Sequence, residues 1–191
     1  MTFKDIFGSS ALSVLSFVSV LVFLTGCNPT REWDEEVRLS NGQIIKVHRK
    51  QHWETNHPMG SPKGYFDKES SLIIVGSGDS DAIWHGDTEW PILLDKDPAN
   101  GQYFLITTIG QCWKYAEIGK PNPPYLEYRL SGNRWERVTW SGVAVGHVSN
   151  ILVLPQPNEK PVISTQEISR RNSLKPSPYN VIVAKGTLDN C

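Results

Sequence analysis

Alternating hydrophobic and polar residues predict a β-hairpin over residues 33–49. Val37 and Leu39 alternate with polar residues before Asn41-Gly42, and the alternation resumes at Ile45. A period of two places alternate side chains on one face of a strand, and an Asn-Gly pair tolerates the positive φ angles of a two-residue turn. The segment is therefore predicted to be two antiparallel strands joined by a tight turn.

The same layout occurs in two later segments. Residues 125–138 alternate around Gly132-Asn133, and residues 90–110 place two apolar runs on either side of the polar stretch Asp95 to Gly101. Turn-forming residues between two apolar runs are typical of hairpins. Further strand-like runs lie at 71–75, 143–148, 151–154 and 180–184.

One segment carries a helical signal. Ser164-Thr165-Gln166-Glu167 has the spacing of a capping box, in which Ser164 accepts a hydrogen bond from the Glu167 amide and the glutamate side chain reaches back. This predicts a short helix through Arg171. Many short strands separated by Gly, Pro and Asn predict an all-β fold, an antiparallel sandwich or partly open barrel built from hairpins, with this one short helix near the C-terminus.

Residues 6–26 form an uncharged and largely apolar stretch that ends in small residues before Cys27. An apolar run behind a charged start has the layout of a secretory signal rather than of a folded element. The run is also about long enough to span a bilayer as an uncleaved helix, which is the alternative interpretation. In either case the rest of the chain is expected outside the cytoplasm.

The end of this stretch, Leu24-Thr25-Gly26-Cys27, resembles the lipobox of bacterial lipoprotein signal peptides. The resemblance implies cleavage between Gly26 and Cys27 and attachment of a diacylglyceryl group to the Cys27 thiol. Two or three acyl chains hold a protein stably at a bilayer, so the membrane is the first expected partner. Because Asn28 rather than Asp follows the cysteine, the enterobacterial sorting pattern that this resembles favours the outer membrane, facing the periplasm, over the inner membrane.

The whole chain most resembles small, uncharacterised, β-rich lipoproteins of proteobacteria, through the lipobox, the segment 31–37 and the block 90–138. That resemblance brings no activity with it. It implies three parts, which are a signal peptide at 1–26, a short tether at 27–31 and a single β-rich globular domain at 32–191.

The charge balance excludes one large class of partners. The chain has 19 basic and 20 acidic side chains and a net charge of −1 at pH 7. Domains that bind nucleic acid carry an excess of Lys and Arg, so no nucleic-acid partner is predicted. No cofactor is predicted either.

With Cys27 acylated, Cys112 and Cys191 are the remaining thiols of the chain. Disulfides form and persist in the cell envelope, so a bond between these two cysteines is predicted. The alternative is a buried free Cys112 and an exposed Cys191.

The densest polar stretch, residues 76–89, supplies the candidate catalytic residues. Two carboxylates beside a histidine suit general acid–base chemistry or a cation site. Ile83 stands where a calcium loop needs a third oxygen ligand, and clusters of Gly, Ser and Asp form turns in the first place. A solvated loop is therefore favoured. If the protein is an enzyme, the candidates are Asp79, Asp81, His85 and Asp87.

No metal site is predicted. His48, His52 and His57 lie close together in sequence, but on a strand the first two would stand about 13 Å apart, too far to share an ion. The acidic stretch from Asp95 to Gly101 has its third oxygen donor one position late for a calcium loop, so a hairpin loop is favoured.

Seven tryptophans follow the signal segment. Tryptophan suits half-buried sheet surfaces, so core packing is the favoured interpretation, with a sugar-binding aromatic face as the alternative. Trp84, Trp113 and Trp135 are the candidates for such a face because each neighbours polar residues.

Taken together, these features favour a lipid-anchored protein of the cell envelope with a binding or structural role rather than an enzymatic one. Such a protein would engage another envelope protein, or act as an immunity-type lipoprotein that blocks a toxin. The alternatives are an envelope hydrolase or metal-dependent enzyme centred on Asp79, Asp81 and His85, and a tryptophan-based glycan-binding module. A protein partner predicts a contiguous apolar patch, and a glycan-binding module predicts coplanar exposed rings. An enzyme predicts that Asp79, Asp81 and His85 converge in a concave pocket with perturbed pKa values.

Overall fold

The structure is a computed structural model that describes residues 30–56, 64–76, 82–153, 155, 160–175, 179–188 and 191. The signal segment with Gly26 and Cys27, and the candidates Asp79 and Asp81, lie outside the described residues. The elements in chain order are β1 (Thr30–Arg38), β2 (Ile44–Asn56), β3 (Gly64–Val75), β4 (Ile83–Asp87), β5 (Glu89–Lys96), β6 (Tyr103–Ile109), α1 (Cys112–Glu117), β7 (Tyr125–Ser131), β8 (Arg134–Val138), β9 (Val162–Ile163) and α2 (Thr165–Asn172).

Two sheets form an open sandwich, which confirms the predicted all-β antiparallel fold and selects the sandwich over the barrel. The first sheet has the order β4-β3-β2-β1-β9 and the second has the order β5-β6-β7-β8. The pairing is antiparallel except between β1 and the two-residue β9. The three predicted hairpins are confirmed as β1–β2, β5–β6 and β7–β8.

The first hairpin shows why the sequence pattern was sufficient. Gly42 has a φ of 86°, and its amide donates to the Leu39 carbonyl at 2.9 Å. Trp33, Glu35 and Val37 of β1 are buried, as period-two alternation requires. Thr30 and Arg31, which sequence analysis placed in the tether, pair with β2 and belong to β1.

The core has two main layers. Val37, Leu72, Trp84 and Leu105 pack between the two sheets. The other face of the second sheet is covered by the irregular segments 140–153 and 179–188, and there Phe104 packs with buried residues that include Ala144, Val153 and Ile182. The predicted strands in these segments are wrong for the described residues, because a few backbone hydrogen bonds and one isolated bridge between Val148 and Val181 join the segments in place of a regular ladder.

The predicted C-terminal helix is confirmed as α2. The Glu167 amide donates to Ser164 Oγ at 3.4 Å, as the capping box requires, while the Glu167 carboxylate accepts from Arg170 at 2.8 and 2.9 Å. The second helix, α1, was not predicted, because it is only six residues long and buries Tyr115 as its one core side chain. Within the described part of the chain, no helix is long and apolar enough to cross a membrane.

The two ends of the sandwich differ in what they carry. Thr30 pairs with His52, His52 with Glu69, and Glu69 with Asp87, so all four lie in one row at the same end. β5 starts at this end two residues after Asp87, and β6 returns to it before α1. We call this the α1 end. The turn at Gly42 and the start of the β5–β6 loop lie at the opposite end.

Candidate functional site

The two described catalytic candidates, His85 and Asp87, are surface residues. His85 is exposed on β4 opposite Ser71, and Asp87 is exposed with its carboxylate 3.3 Å from Lys114 Nζ. His48 contacts Asp34 at 2.9 Å and His52 contacts Thr30 at 2.8 Å. No group of three or more Cys, His, Asp or Glu side chains among the described residues is arranged to hold a metal ion. His57 lies outside the described residues.

The carboxylates of Asp95 and Asp97 connect the acidic hairpin loop to neighbouring parts of the fold. Asp95 is buried and accepts from the Ser40 amide at 3.1 Å, which joins the β5–β6 loop to the first hairpin. The Arg129 guanidinium donates to Asp97 at 2.5 Å and holds the pKa of that carboxyl below its usual value. The interpretation of this stretch as a hairpin loop agrees with these contacts.

The three candidate tryptophans have different environments. Trp84 is 1% exposed and packs edge-on against Tyr128 with ring centroids 5.7 Å apart, so its ring is not part of any surface. Trp135 is half-buried and donates to the Ala82 carbonyl at 3.3 Å. Trp113 on α1 is 56% exposed and therefore presents most of its ring to solvent.

Two carboxyl groups are withdrawn from solvent: Asp67 on β3, which sequence reasoning missed, is half-buried, and Glu89 on β5, the end of the polar stretch 76–89, is buried. Burial raises the pKa of both, because the charged form loses its hydration. Glu89 accepts hydrogen bonds from Thr107 at 3.0 Å and from Tyr128 at 2.8 Å, and Asp67 accepts one from the Trp90 indole. Each of these donors belongs to the core, so the contacts explain both carboxyls as parts of the interior. No sequence motif marks them.

A buried ion pair fixes the segment that closes one side of the sandwich. Glu35 and Arg49 are 0% and 1% exposed, and Arg49 Nη1 lies 2.9 Å from Glu35 Oε1. Glu35 also accepts from the Leu152 amide at 3.0 Å, while Arg49 donates to the Leu152 carbonyl at 3.0 Å. The Trp33 indole donates to the same carboxylate. The Arg49 guanidinium carbon lies over the Trp33 ring, 5.0 Å from the ring centroid. The pair therefore binds the backbone of Leu152 from both sides.

Two asparagine side chains complete this closure. Asn150 Nδ2 donates to the Arg38 carbonyl at 2.9 Å and to the Leu94 carbonyl at 2.8 Å, and its Oδ1 accepts from the Leu94 amide. Asn172 of α2 donates to the carbonyls of Ser149 and Ile151. The Asn150 amide thus links β1 of the first sheet to β5 of the second. The Asn172 amide attaches α2 to the segment around Ser149 and Ile151.

These contacts build a cleft of about 600 Å³ between the end of β1 and α2, which we call the α2 cleft. The described residues that line it are Arg38, Val148, Ser149, Asn150, Thr165, Gln166, Ile168, Ser169 and Arg170. Arg38, Val148 and Asn150 also border a second hollow of about 350 Å³ that leads to Asp95 and His147. The two hollows form a continuous surface around the end of β1.

No family model, curated protein or solved structure matches this chain. The α2 cleft is therefore interpreted from its own residues.

The cleft is cationic and rich in hydrogen-bonding groups. Its described lining contains two guanidinium groups and no carboxylate. Arg170 is paired with Glu167, whereas Arg38 is exposed and forms no ion pair with any described residue. A guanidinium presents a planar set of donors that matches a carboxylate. Val148, which is 62% exposed, supplies an apolar contact beside Arg38.

The cleft also borders an open sheet edge. β9 pairs with Asp34 and Glu35 of β1, so within the described part of the chain no strand lies beside Glu36, Val37 and Arg38 on that side. The Arg38 carbonyl accepts from Asn150, so the edge that is open to a strand lies around Glu36. An unpaired edge can accept an extended peptide as an additional strand. Sequence reasoning missed this site, because its described walls come from three segments that are distant in the chain.

Proposed function

We propose that this protein is a lipid-anchored component of a bacterial cell envelope that binds an acidic, extended segment of a protein partner in the α2 cleft. Either another envelope protein or a toxin would present such a segment. The observation that carries the proposal is the Arg38 guanidinium, which forms no ion pair with any described residue and lines, at the end of β1, a cleft whose described lining has no carboxylate.

The proposed anchor and the α2 cleft lie at opposite ends of β1. Cys27 is three residues before Thr30, and Arg38 is the last residue of this nine-residue strand. At about 3.3 Å per residue, the strand separates Thr30 from Arg38 by about 26 Å. An acylated Cys27 would thus leave the cleft facing away from the membrane, where a partner can reach it.

The anchor is tested with Cys27→Ala. We expect membrane-fractionated wild-type protein to have the intact mass of residues 27–191 plus acyl chains, and we expect the variant to lose both the processing and the membrane fraction. Ser13→Ala, a substitution within the apolar run, is the matched control and should be processed normally. An unprocessed mass in wild type and variant alike would show an uncleaved helix instead.

The cleft is tested by photo-crosslinking in the envelope. A photoreactive amino acid at the exposed position Val148 of the full chain should give a covalent adduct with the partner. Arg38→Glu should weaken binding roughly 10- to 100-fold, because a charge-assisted hydrogen bond contributes about 1.5–3 kcal/mol.

The matched control for this experiment is Arg134→Glu, an equal charge reversal at an exposed position of β8 outside the cleft. It should leave the adduct unchanged. The cleft proposal is wrong if no adduct forms at Val148, or if Arg38→Glu and Arg134→Glu give the same yield as wild type.

A further inference from the structure

We propose that the α1 end of the sandwich lies against the bilayer to which Cys27 anchors the chain, with the Trp113 indole in the headgroup layer. This inference rests on the proposed lipid anchor and adds an orientation of the domain on the membrane. The occupant of the surface is a lipid bilayer.

The tether between Cys27 and the first strand is short. Two residues separate Cys27 from Thr30, the first residue of β1. A chain spans at most about 3.5 Å per residue, so Thr30 lies no more than about 10 Å from the acylated cysteine. Thr30, at one end of the row that contains Asp87, is therefore held close to the membrane surface.

Helix α1 lies beside Asp87, at the far end of the row that begins at Thr30. Asp87 lies three strands across from Thr30, a lateral distance of about 14 Å at the usual strand spacing. Lys114 of α1 contacts Asp87 at 3.3 Å, and the Cys112–Cys191 disulfide holds the start of the helix. The helix is therefore at the anchored end of the domain and within the footprint of a small domain on a bilayer.

The exposed side chain of α1, Trp113, is of a type that suits the membrane interface. Trp113 is 56% exposed, whereas Trp33, Trp53 and Trp84 are between 1% and 4% exposed. Indole rings concentrate at the interface between headgroups and acyl chains, because an apolar ring and a polar N–H suit that layer. A solvent-facing tryptophan is therefore placed where a bilayer would cover it.

The charges of α1 predict the kind of contact. Lys114 lies 3.3 Å from both Asp87 and Glu117, so its charge is paired within the protein. Lys120 donates to the Cys191 carbonyl at 3.1 Å. The one lysine of α1 is thus already paired, so we expect the contact to depend on the Trp113 indole and to persist on zwitterionic lipid and at high salt.

The test uses full-length acylated protein in phosphatidylcholine vesicles that carry bromine on the acyl chain near the headgroup. Bromine quenches only tryptophans that reach the bilayer. We expect part of the wild-type fluorescence to be quenched, and Trp113→Phe to lose at least half of that quenched component. Trp135→Phe is the matched control, because Trp135 lies on β8 near its turn at the other end, and it should retain the wild-type quenching.

Different results would overturn the lipid anchor and the orientation of the domain on the bilayer. An intact mass without acyl chains would overturn the anchor and the orientation together. An acylated, vesicle-bound protein whose quenching is absent, or is unchanged in Trp113→Phe, would overturn the orientation alone.

Discussion

Glu35→Ala is expected to lower the free energy of unfolding by about 3–5 kcal/mol, because it leaves the buried Arg49 charge without its partner. The substitution also removes the acceptor of the Leu152 amide. Leu152 belongs to the segment that closes the side of the sandwich, so the loss extends beyond one ion pair. Urea unfolding of the purified protein, followed by tryptophan fluorescence, measures the effect.

The neighbouring Glu36→Ala is the matched control for this prediction. Glu36 is on the same strand but on its other, half-exposed face, and we expect a change within about 0.5 kcal/mol. The double variant Glu35→Ala/Arg49→Ala should lose less than the sum of the two single variants, since the residues contact each other. A loss below about 1 kcal/mol for Glu35→Ala would show that the pair does not hold the segment.

Removal of the Cys112–Cys191 disulfide is expected to cost about 4.5 kcal/mol in the chain-entropy model, because the bond closes a loop between residues 79 apart. Cys112 and Cys191 form this bond with an S–S distance of 2.08 Å, as the sequence analysis predicted. It ties the C-terminal segment to α1 beside a cluster in which Leu188 packs on Tyr115 and Ile109. In a domain of this size the cost corresponds to a fall in Tm of about 10–15 °C.

Thermal unfolding of Cys112→Ser, Cys191→Ser and the double variant tests this prediction. Each single substitution breaks the same bond, so all three proteins should fall by the same amount. Wild-type protein treated with a reductant should match them. Two free thiols in the unreduced protein, or single variants that differ widely in Tm, would contradict the structural role of the bond.

The hairpins and α2 could be predicted because their signals are local. A tight turn that ends in Gly42 at positive φ and a capping serine at Ser164 determine their own backbone geometry, whatever surrounds them. The irregular cover over the second sheet could not be predicted, since its apolar runs resemble strands. Ser149 to Val153 is held by the side chains of Glu35, Asn150 and Asn172, where a strand would use a regular ladder.

For the candidate site, too, some features follow from the sequence and others only from the tertiary structure. The sequence by itself determined the hairpin architecture and the resemblance of residues 24–27 to a lipobox, because each depends on neighbouring residues. It favoured a bond between Cys112 and Cys191 over free thiols, and the structure decided for the bond. The tertiary structure decided that Trp84 is interior and Trp113 exposed, and that Arg38 and Arg170 line one cleft. Burial and cleft formation depend on which distant segments pack together, and that packing is a property of the whole fold rather than of any stretch of the chain.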